Sequence, residues 1–174
     1  MASTWPRYAP PWIAHARLPT RLVGMLKVGD KVPVIELLDQ HGKTFTLKRF
    51  GKRKVLIYFF PKADTPGCTQ QSCLLRDIRA DIGRTAIVGI SPDTSAKLLK
   101  FDEKYSLGFP LLADTEHSVA KAFKVWKKKS MYGRQYMGIE RSAFLIDNSG
   151  VIIQAWYKIS PKDTPVNLLT ALGK

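Results

Sequence analysis

The chain has only two cysteines, Cys68 and Cys73, and both lie in the stretch "FFPKADTPGCTQQSC" with four residues between them. An apolar run stops at Pro61, and Thr65-Pro66-Gly67 leads directly into the first thiol. These residue types mark a helix start. Thr65 suits the N-cap, Pro66 the first helical position, and Cys68 then falls at the third, where its amide lies within reach of the Thr65 hydroxyl. The unpaired amides of a helix start favour a thiolate. The gain matters, because a thiol of pKa ~8.5 is only about 3% ionised at neutral pH, whereas one near ~6 is about 90% ionised. Gly67 leaves a small substrate room to approach the backbone. The chemistry expected is nucleophilic or redox work by Cys68. The competing reading is an inert cysteine packed as a small apolar residue. It does not account for the cap, the helix end and the nearby second thiol together.

Other residues must hold that helix start in place. "KVLIYFF" (54–60) is a nearly continuous apolar run, as expected of a strand buried on both faces. The thiol follows its carboxyl end, where α/β sites gather. "VPVIELL" (32–38) and "TFTLKRF" (44–50) read as strands joined by a turn at Gly42, giving an N-terminal β-hairpin. Leu74, Leu75, Ile78 and Ile82 fall at helical spacing after Cys68, with Gly83 as a stop. "TAIVGIS" (85–91) is a second buried strand. A helix follows over 94–107, capped by Thr94 or Ser95. A short strand is expected over 109–114 and a short helix over 117–126. "RSAFLID" (141–147) and "VIIQAWYK" (151–158) flank the hairpin signal "NSG", and a helix closes the chain over 164–174 with Pro165 in its first turn. The pattern predicts an α/β fold, a central mixed sheet flanked by helices.

Composition narrows the class. An apolar content of 45% and a charged content of 24% suit one soluble domain of 174 residues. No apolar run reaches the length of a membrane span. His15, His41, His117 and the two cysteines show no metal-ligand spacing. The net charge is +14, unevenly spread: seven Lys or Arg and no acid lie between Asp39 and Asp64, and six lie between Glu116 and Glu140. No aromatic-basic recognition motif accompanies them, so solvated faces are expected rather than a specific nucleic-acid site. Residues 1–24 read as an irregular basic extension, rich in proline and without an acid, ahead of a domain over 25–174. A transit peptide, a flexible appendage and an upstream start before Met25 all fit that composition. A cytoplasmic location is expected, with organellar targeting by the extension left open.

"PKADTPGCTQQSC" resembles the Pro-x-x-x-Thr-x-x-Cys motif of peroxiredoxins, and its second cysteine resembles the peroxiredoxin Q, or bacterioferritin comigratory protein, subfamily. "GISPDTSAKLLKFDEKYSLGFPLLAD" and "MYGRQYMGIERSAFLID" are similar to later segments of that family, whereas Ala143 stands where many relatives carry a hydroxyl residue. The resemblance implies a thioredoxin-like fold and a thiol peroxidase acting on hydrogen peroxide and organic hydroperoxides. It implies Cys68 as peroxidatic nucleophile, Thr65 and the Cys68 amide as peroxide ligands, and Pro61 as a shield against water. It further implies Arg141 as stabiliser of the thiolate and Cys73 as resolving thiol. Thioredoxin or a similar dithiol is the implied reductant. No metal, haem or flavin cofactor, no membrane partner and a monomer are expected. A basic binding module with a redox-sensing cysteine pair is the alternative function.

The implied Cys68–Cys73 disulfide has a geometric consequence. Residues five apart on an intact helix are rotated by about 140°, with Cα atoms ~8.6 Å apart. A disulfide rarely tolerates more than about 7 Å. The helix is therefore expected to be intact in the reduced protein and unwound in its first turns after oxidation. The polar "TQQS" between the thiols reads as a segment exposed at little cost.

Overall fold

The structure, a computed structural model, describes residues 24–174. These residues form strands β1 (Leu37–Asp39), β2 (Thr44–Phe45), β3 (Val55–Phe59), β4 (Ala86–Ser91), β5 (Leu111–Ala113), β6 (Trp126–Met131), β7 (Arg134–Ile139), β8 (Ser142–Ile146) and β9 (Ile152–Trp156). The α-helices are α1 (Pro66–Asp77), α2 (Ser95–Tyr105), α3 (Ser118–Ala122) and α4 (Asp163–Ala171). Apart from Gly24, the extension expected over residues 1–24 lies outside the described residues.

Seven strands make one mixed sheet in the order β2-β1-β5-β4-β3-β8-β9. β3, β4 and β5 run parallel, while β1, β8 and β9 pair antiparallel with their neighbours. β3 is buried at every position, as a central strand covered on both faces must be. Its alternation divides the core. Val55, Ile57 and Phe59 pack with Val88, Phe144 and the α3 residues Val119 and Ala120 on one face. Leu56, Tyr58 and Phe60 pack with Leu75 of α1, Leu98 and Phe101 of α2, and Leu168 of α4 on the other. A Cβ at Gly89 would come within 2.8 Å of Leu111 and 3.0 Å of Tyr58 and Phe60, so β4 needs a glycine where these side chains cross it.

The expected order of elements holds, and several boundaries change. The N-terminal hairpin exists with Leu37 opposite Phe45, but it is short. Residues 32–36 stay outside the ladder. Val32 donates its amide to the Gly150 carbonyl, and Val34 is 79% exposed. Leu47–Phe50 coil into a 3-10 turn instead of extending β2. α1 ends at Asp77, before Ile78 and Gly83. The helix expected over 117–126 is only Ser118–Ala122, because Trp126 opens the β6–β7 hairpin, an element absent from the sequence reading. The hairpin's lysines and exposed tip hide the alternation that marks a half-buried strand. The "NSG" turn forms as expected, with Asp147 Oδ1 accepting from the Ser149 and Val151 amides.

Candidate active site

Topology gathers the site at one edge of the sheet. β3 and β8 are antiparallel neighbours with Phe59 opposite Ser142. The segment leaving β3 and the segment entering β8 therefore meet, which brings α1 and Arg141 together. The Arg141 carbonyl accepts from the Ile159 amide at 2.9 Å, tying this position to the chain beyond β9.

Cys68 lies in the first turn of α1, and its side chain has no exposed surface. Both thiols are free. Arg141 Nη2 lies 3.4 Å from Cys68 Sγ, and Arg141 Nη1 donates to Gln71 Oε1 at 2.6 Å. Gln71 is fully buried and donates through Nε2 to Thr164 Oγ1 at 2.8 Å. Thr164 donates in turn to the Ser160 carbonyl at 3.0 Å. This chain of hydrogen bonds carries the guanidinium from α4 to the thiol and leaves it one orientation.

The loop ahead of Cys68 is pinned separately. Asp64 adopts φ 60°, a conformation that side chains other than glycine rarely take. Its carboxylate accepts from Tyr105 Oη at 2.7 Å and from Lys104 Nζ at 3.0 Å. These donors, Tyr105 first, hold the Asp64 carboxyl below its ordinary range. The Ala63 amide donates to the buried Asp93 at 2.7 Å. Half-buried Pro61 sits between this loop and the end of β3.

Thr65 is the N-cap of α1, as expected, but its hydroxyl does not reach the Cys68 amide. It donates instead to the Lys62 carbonyl at 2.8 Å, closing the turn that contains the strained Asp64. The Thr65 carbonyl accepts from Thr69, beginning the helical ladder. The Cys68 amide stays among the orphan donors of the helix start. Gly67 has a use that the sequence did not signal. A Cβ there would lie 3.3 Å from Arg141 Nη2 and 3.5 Å from Pro161, so the missing side chain makes room for the guanidinium.

α1 runs unbroken from Pro66 to Asp77, with Cys68 and half-buried Cys73 on it. The expectation that "TQQS" is cheaply exposed does not hold. Gln71 and Ser72 are both fully buried, and Ser72 Oγ is 2.8 Å from Tyr58 Oη. Burial pushes the Tyr58 phenol well above its ordinary pKa, so it remains a neutral hydrogen-bonding partner. Gln71 and Ser72 follow Cys68 by three and four positions, and so lie on its face of the helix. That spacing is the signal by which they could have been found. Within the lysine run of β6, expected to be a solvated face, Lys127 and Lys129 are partly buried and Lys128 is exposed. Burial first, then the nearby Arg141 charge, lowers the Lys129 pKa, while Glu140 and Cys68 oppose the shift. Among the described residues, no group of three or more His, Cys, Asp or Glu could hold a metal ion. No described helix is long and apolar enough to cross a membrane.

Comparison with known proteins identifies the family. Residues 28–155 match the AhpC/TSA family. The chain is 44% identical over 149 residues to peroxiredoxin Bcp of Bacillus subtilis, covering 84% of this chain and 95% of that protein. It is 46% identical over 129 residues to peroxiredoxin Bcp of Escherichia coli K12, covering 73% and 83%. Among solved structures, the Xanthomonas campestris bacterioferritin comigratory protein, studied for its alkyl peroxide reduction activity, superposes with a TM-score of 0.75. It is 32% identical, over 83% of this chain and 98% of that one. The fold is thus that of the thioredoxin-like peroxiredoxins, and the chain belongs to the AhpC/TSA family as a thiol-dependent peroxidase.

Proposed function

We propose that Cys68 is the peroxidatic nucleophile and Cys73 the resolving thiol of an intramolecular two-cysteine cycle. The observation that carries this reading is the Arg141 guanidinium, 3.4 Å from Cys68 Sγ and fixed by Gln71. A cation held there favours the thiolate over the thiol and faces the oxygen on which charge develops. The thiolate attacks one oxygen of the peroxide, the O–O bond breaks, and the leaving oxygen takes a proton to depart as water or an alcohol. Cys68 is then a sulfenic acid. The Cys68 amide, left free when the Thr65 hydroxyl turns back to Lys62, is available to a peroxide oxygen. Thr65 contributes by shaping the loop, and Pro61 keeps water from the thiolate. Because Cys68 is fully buried, peroxide enters as the structure around the thiol opens.

Cys73 next attacks the sulfenic sulfur, forming the disulfide and releasing water. That step requires α1 to unwind, since an intact helix holds the two Cα atoms ~8.6 Å apart. An external dithiol, thioredoxin or a similar protein, returns both thiols by exchange. Hydrogen peroxide and organic hydroperoxides are the proposed substrates, and the alkyl peroxide activity studied in the Xanthomonas campestris relative supports including the latter. A monomer suffices, because both thiols lie on one helix.

Single-turnover assays of two variants test the assignment. Cys68→Ser abolishes peroxide consumption. Cys73→Ser consumes one equivalent, leaves a sulfenic acid trappable by dimedone at Cys68, and is not recycled by thioredoxin. The reverse pattern would exchange the two roles.

A further inference from the structure

The amino ends of β3, β4 and β5 lie at the sheet edge opposite Cys68, because the three strands are parallel and Cys68 follows the carboxyl end of β3. A cavity of about 430 Å³ opens at this edge, within the range of small-molecule sites, roughly 300–1,000 Å³. Arg49, Arg53, Arg79 and Arg84 line it, with Phe50 and Phe109 in its wall and no acidic residue in the lining.

Three of these guanidinium groups are held in place. Arg53 donates through Nε to the Phe50 carbonyl at 3.2 Å, and its guanidinium carbon lies 5.1 Å from the centre of the Phe50 ring. The Arg49 guanidinium carbon lies 5.5 Å and 5.9 Å from the Phe45 and Phe50 rings. Arg79 Nη1 donates to the Leu107 and Gly108 carbonyls at 3.4 and 3.2 Å. Rings and neutral carbonyls orient a guanidinium without cancelling its charge. One carboxylate reaches the group: Asp39 Oδ2 lies 3.9 Å from Arg49, while its Oδ1 accepts from the His41 and Lys43 amides, so among the described residues Arg49 alone of the four has an acidic partner. Converging like charges cost stability, and a bound polyanion relieves that cost.

The fixed forks favour phosphate. A guanidinium offers two parallel donors to phosphate oxygens, and a pre-oriented one loses little freedom on binding. A second hollow of about 210 Å³ shares Arg53 and Arg84 and adds Lys52 and Lys54, so the cationic surface is elongated. The wall aromatics are nearly closed off, with Phe50 8% and Phe109 5% exposed. They offer no open face on which a nucleic-acid base could stack, which favours a phosphate chain over an oligonucleotide. We propose that this trough binds an oligophosphate anion, a chain of linked phosphates either free or carried as the tail of a nucleotide.

Calorimetric titration of the full chain at about 0.15 M salt tests this, where only close charge pairs escape screening. The probes are inorganic tripolyphosphate, ATP, orthophosphate and a single-stranded oligonucleotide without a terminal triphosphate. Tripolyphosphate is expected to bind saturably at one site and more tightly than orthophosphate. Equal binding of ATP identifies a nucleotide tail as a sufficient source, and its failure identifies the free chain. Both results support the site. Arg53→Gln and Arg84→Gln should each weaken tripolyphosphate about tenfold, the loss of one charge-assisted pair. Arg84 is exposed, so its replacement leaves the fold intact and keeps the test decisive. Lys127→Gln with Lys128→Gln, which removes two charges from β6, should change binding less than about twofold. Absence of saturable binding, equal weakening by the β6 pair, or tighter binding of the oligonucleotide than of tripolyphosphate would overturn the proposal.

Discussion

At the carboxyl end of β3 one guanidinium, Arg141, has both terminal nitrogens committed, one to Gln71 and one to Cys68. At the amino end of the same strand four guanidinium groups surround a hollow; Arg53 and Arg79 are held by a ring or by carbonyls, and Arg49 by two rings and the Asp39 carboxylate at 3.9 Å. The arginine side chain is the same at both ends, and its surroundings differ. Gln71 of α1, backed by Thr164 of α4, holds Arg141 against a single sulfur. The opposite group is held from behind and presents its charge to solvent. The net charge therefore says little about mechanism, while the partners of each cation say a great deal.

The comparison breaks most sharply at Arg141. Arg141→Ala should slow the reaction with peroxide by roughly 30- to 1,000-fold, the loss of a preorganised charge beside the reacting atoms. Arg84→Gln at the other end should leave that rate unchanged. Stopped-flow measurement of sulfenic acid formation separates them, and equal effects would erase the distinction between the two ends.

Gln71→Leu sharpens the comparison by leaving Arg141 present but unheld. It removes a hydrogen bond to a charged group and leaves Thr164 without its donor, a loss of about 1–3 kcal/mol in stability. The peroxide reaction should slow about tenfold, less than for Arg141→Ala, because the cation remains nearby. A melting curve and the same stopped-flow assay read both effects. An unchanged rate would show that Arg141 needs no support from α1.

Tyr58→Phe touches the helix without touching the cation. It deprives buried Ser72 of its partner at a cost of about 1 kcal/mol, roughly a fivefold shift toward unwound α1. Sulfenic acid formation should be normal and the following disulfide step faster. A disulfide step slower than in the parent protein would contradict a role for Ser72 in holding the helix closed.

The smallest effect is expected at Asp64. Its carboxyl pKa is depressed in the folded protein, so its contribution is present above the ordinary carboxylate range and is lost as pH falls through the lowered value. Hydrogen exchange at residues 63–65 should therefore report a loosened loop only in acid. Asp64→Asn should show the loosened exchange already at neutral pH. A loop equally protected in parent and variant would remove the clamp from the site.

Local signals were the legible ones. The buried strand, the helix start at Thr65, the thiol in the first turn of a helix and the "NSG" hairpin each depend on a few adjacent residues, and the structure contains them, although the Thr65 hydroxyl turns to Lys62 instead of capping the helix. Arg141 was reachable only through family resemblance, because nothing local distinguishes an arginine at a strand's start. Gln71 and Ser72 were misread because "TQQS" is polar. Their burial depends on Thr164 and Tyr58, which are distant in sequence, and polarity alone cannot report a partner. The β6–β7 hairpin escaped for a related reason. Three consecutive lysines mask its period of two, and only the register from Trp126 opposite Ile139 to Met131 opposite Arg134 makes it a strand pair.

The proposed two-state α1 is tested most directly by hydrogen exchange of the amides from Cys68 to Cys73 in the reduced protein and in the disulfide form confirmed by mass spectrometry. In the reduced protein these amides should be protected from Thr69 onward, where the helical bonds begin and the buried Gln71 and Ser72 side chains hold the chain. In the disulfide form that protection should be lost, because the bond cannot span an intact helix. Equal protection in the two forms would contradict unwinding and with it the route by which Cys73 reaches Cys68.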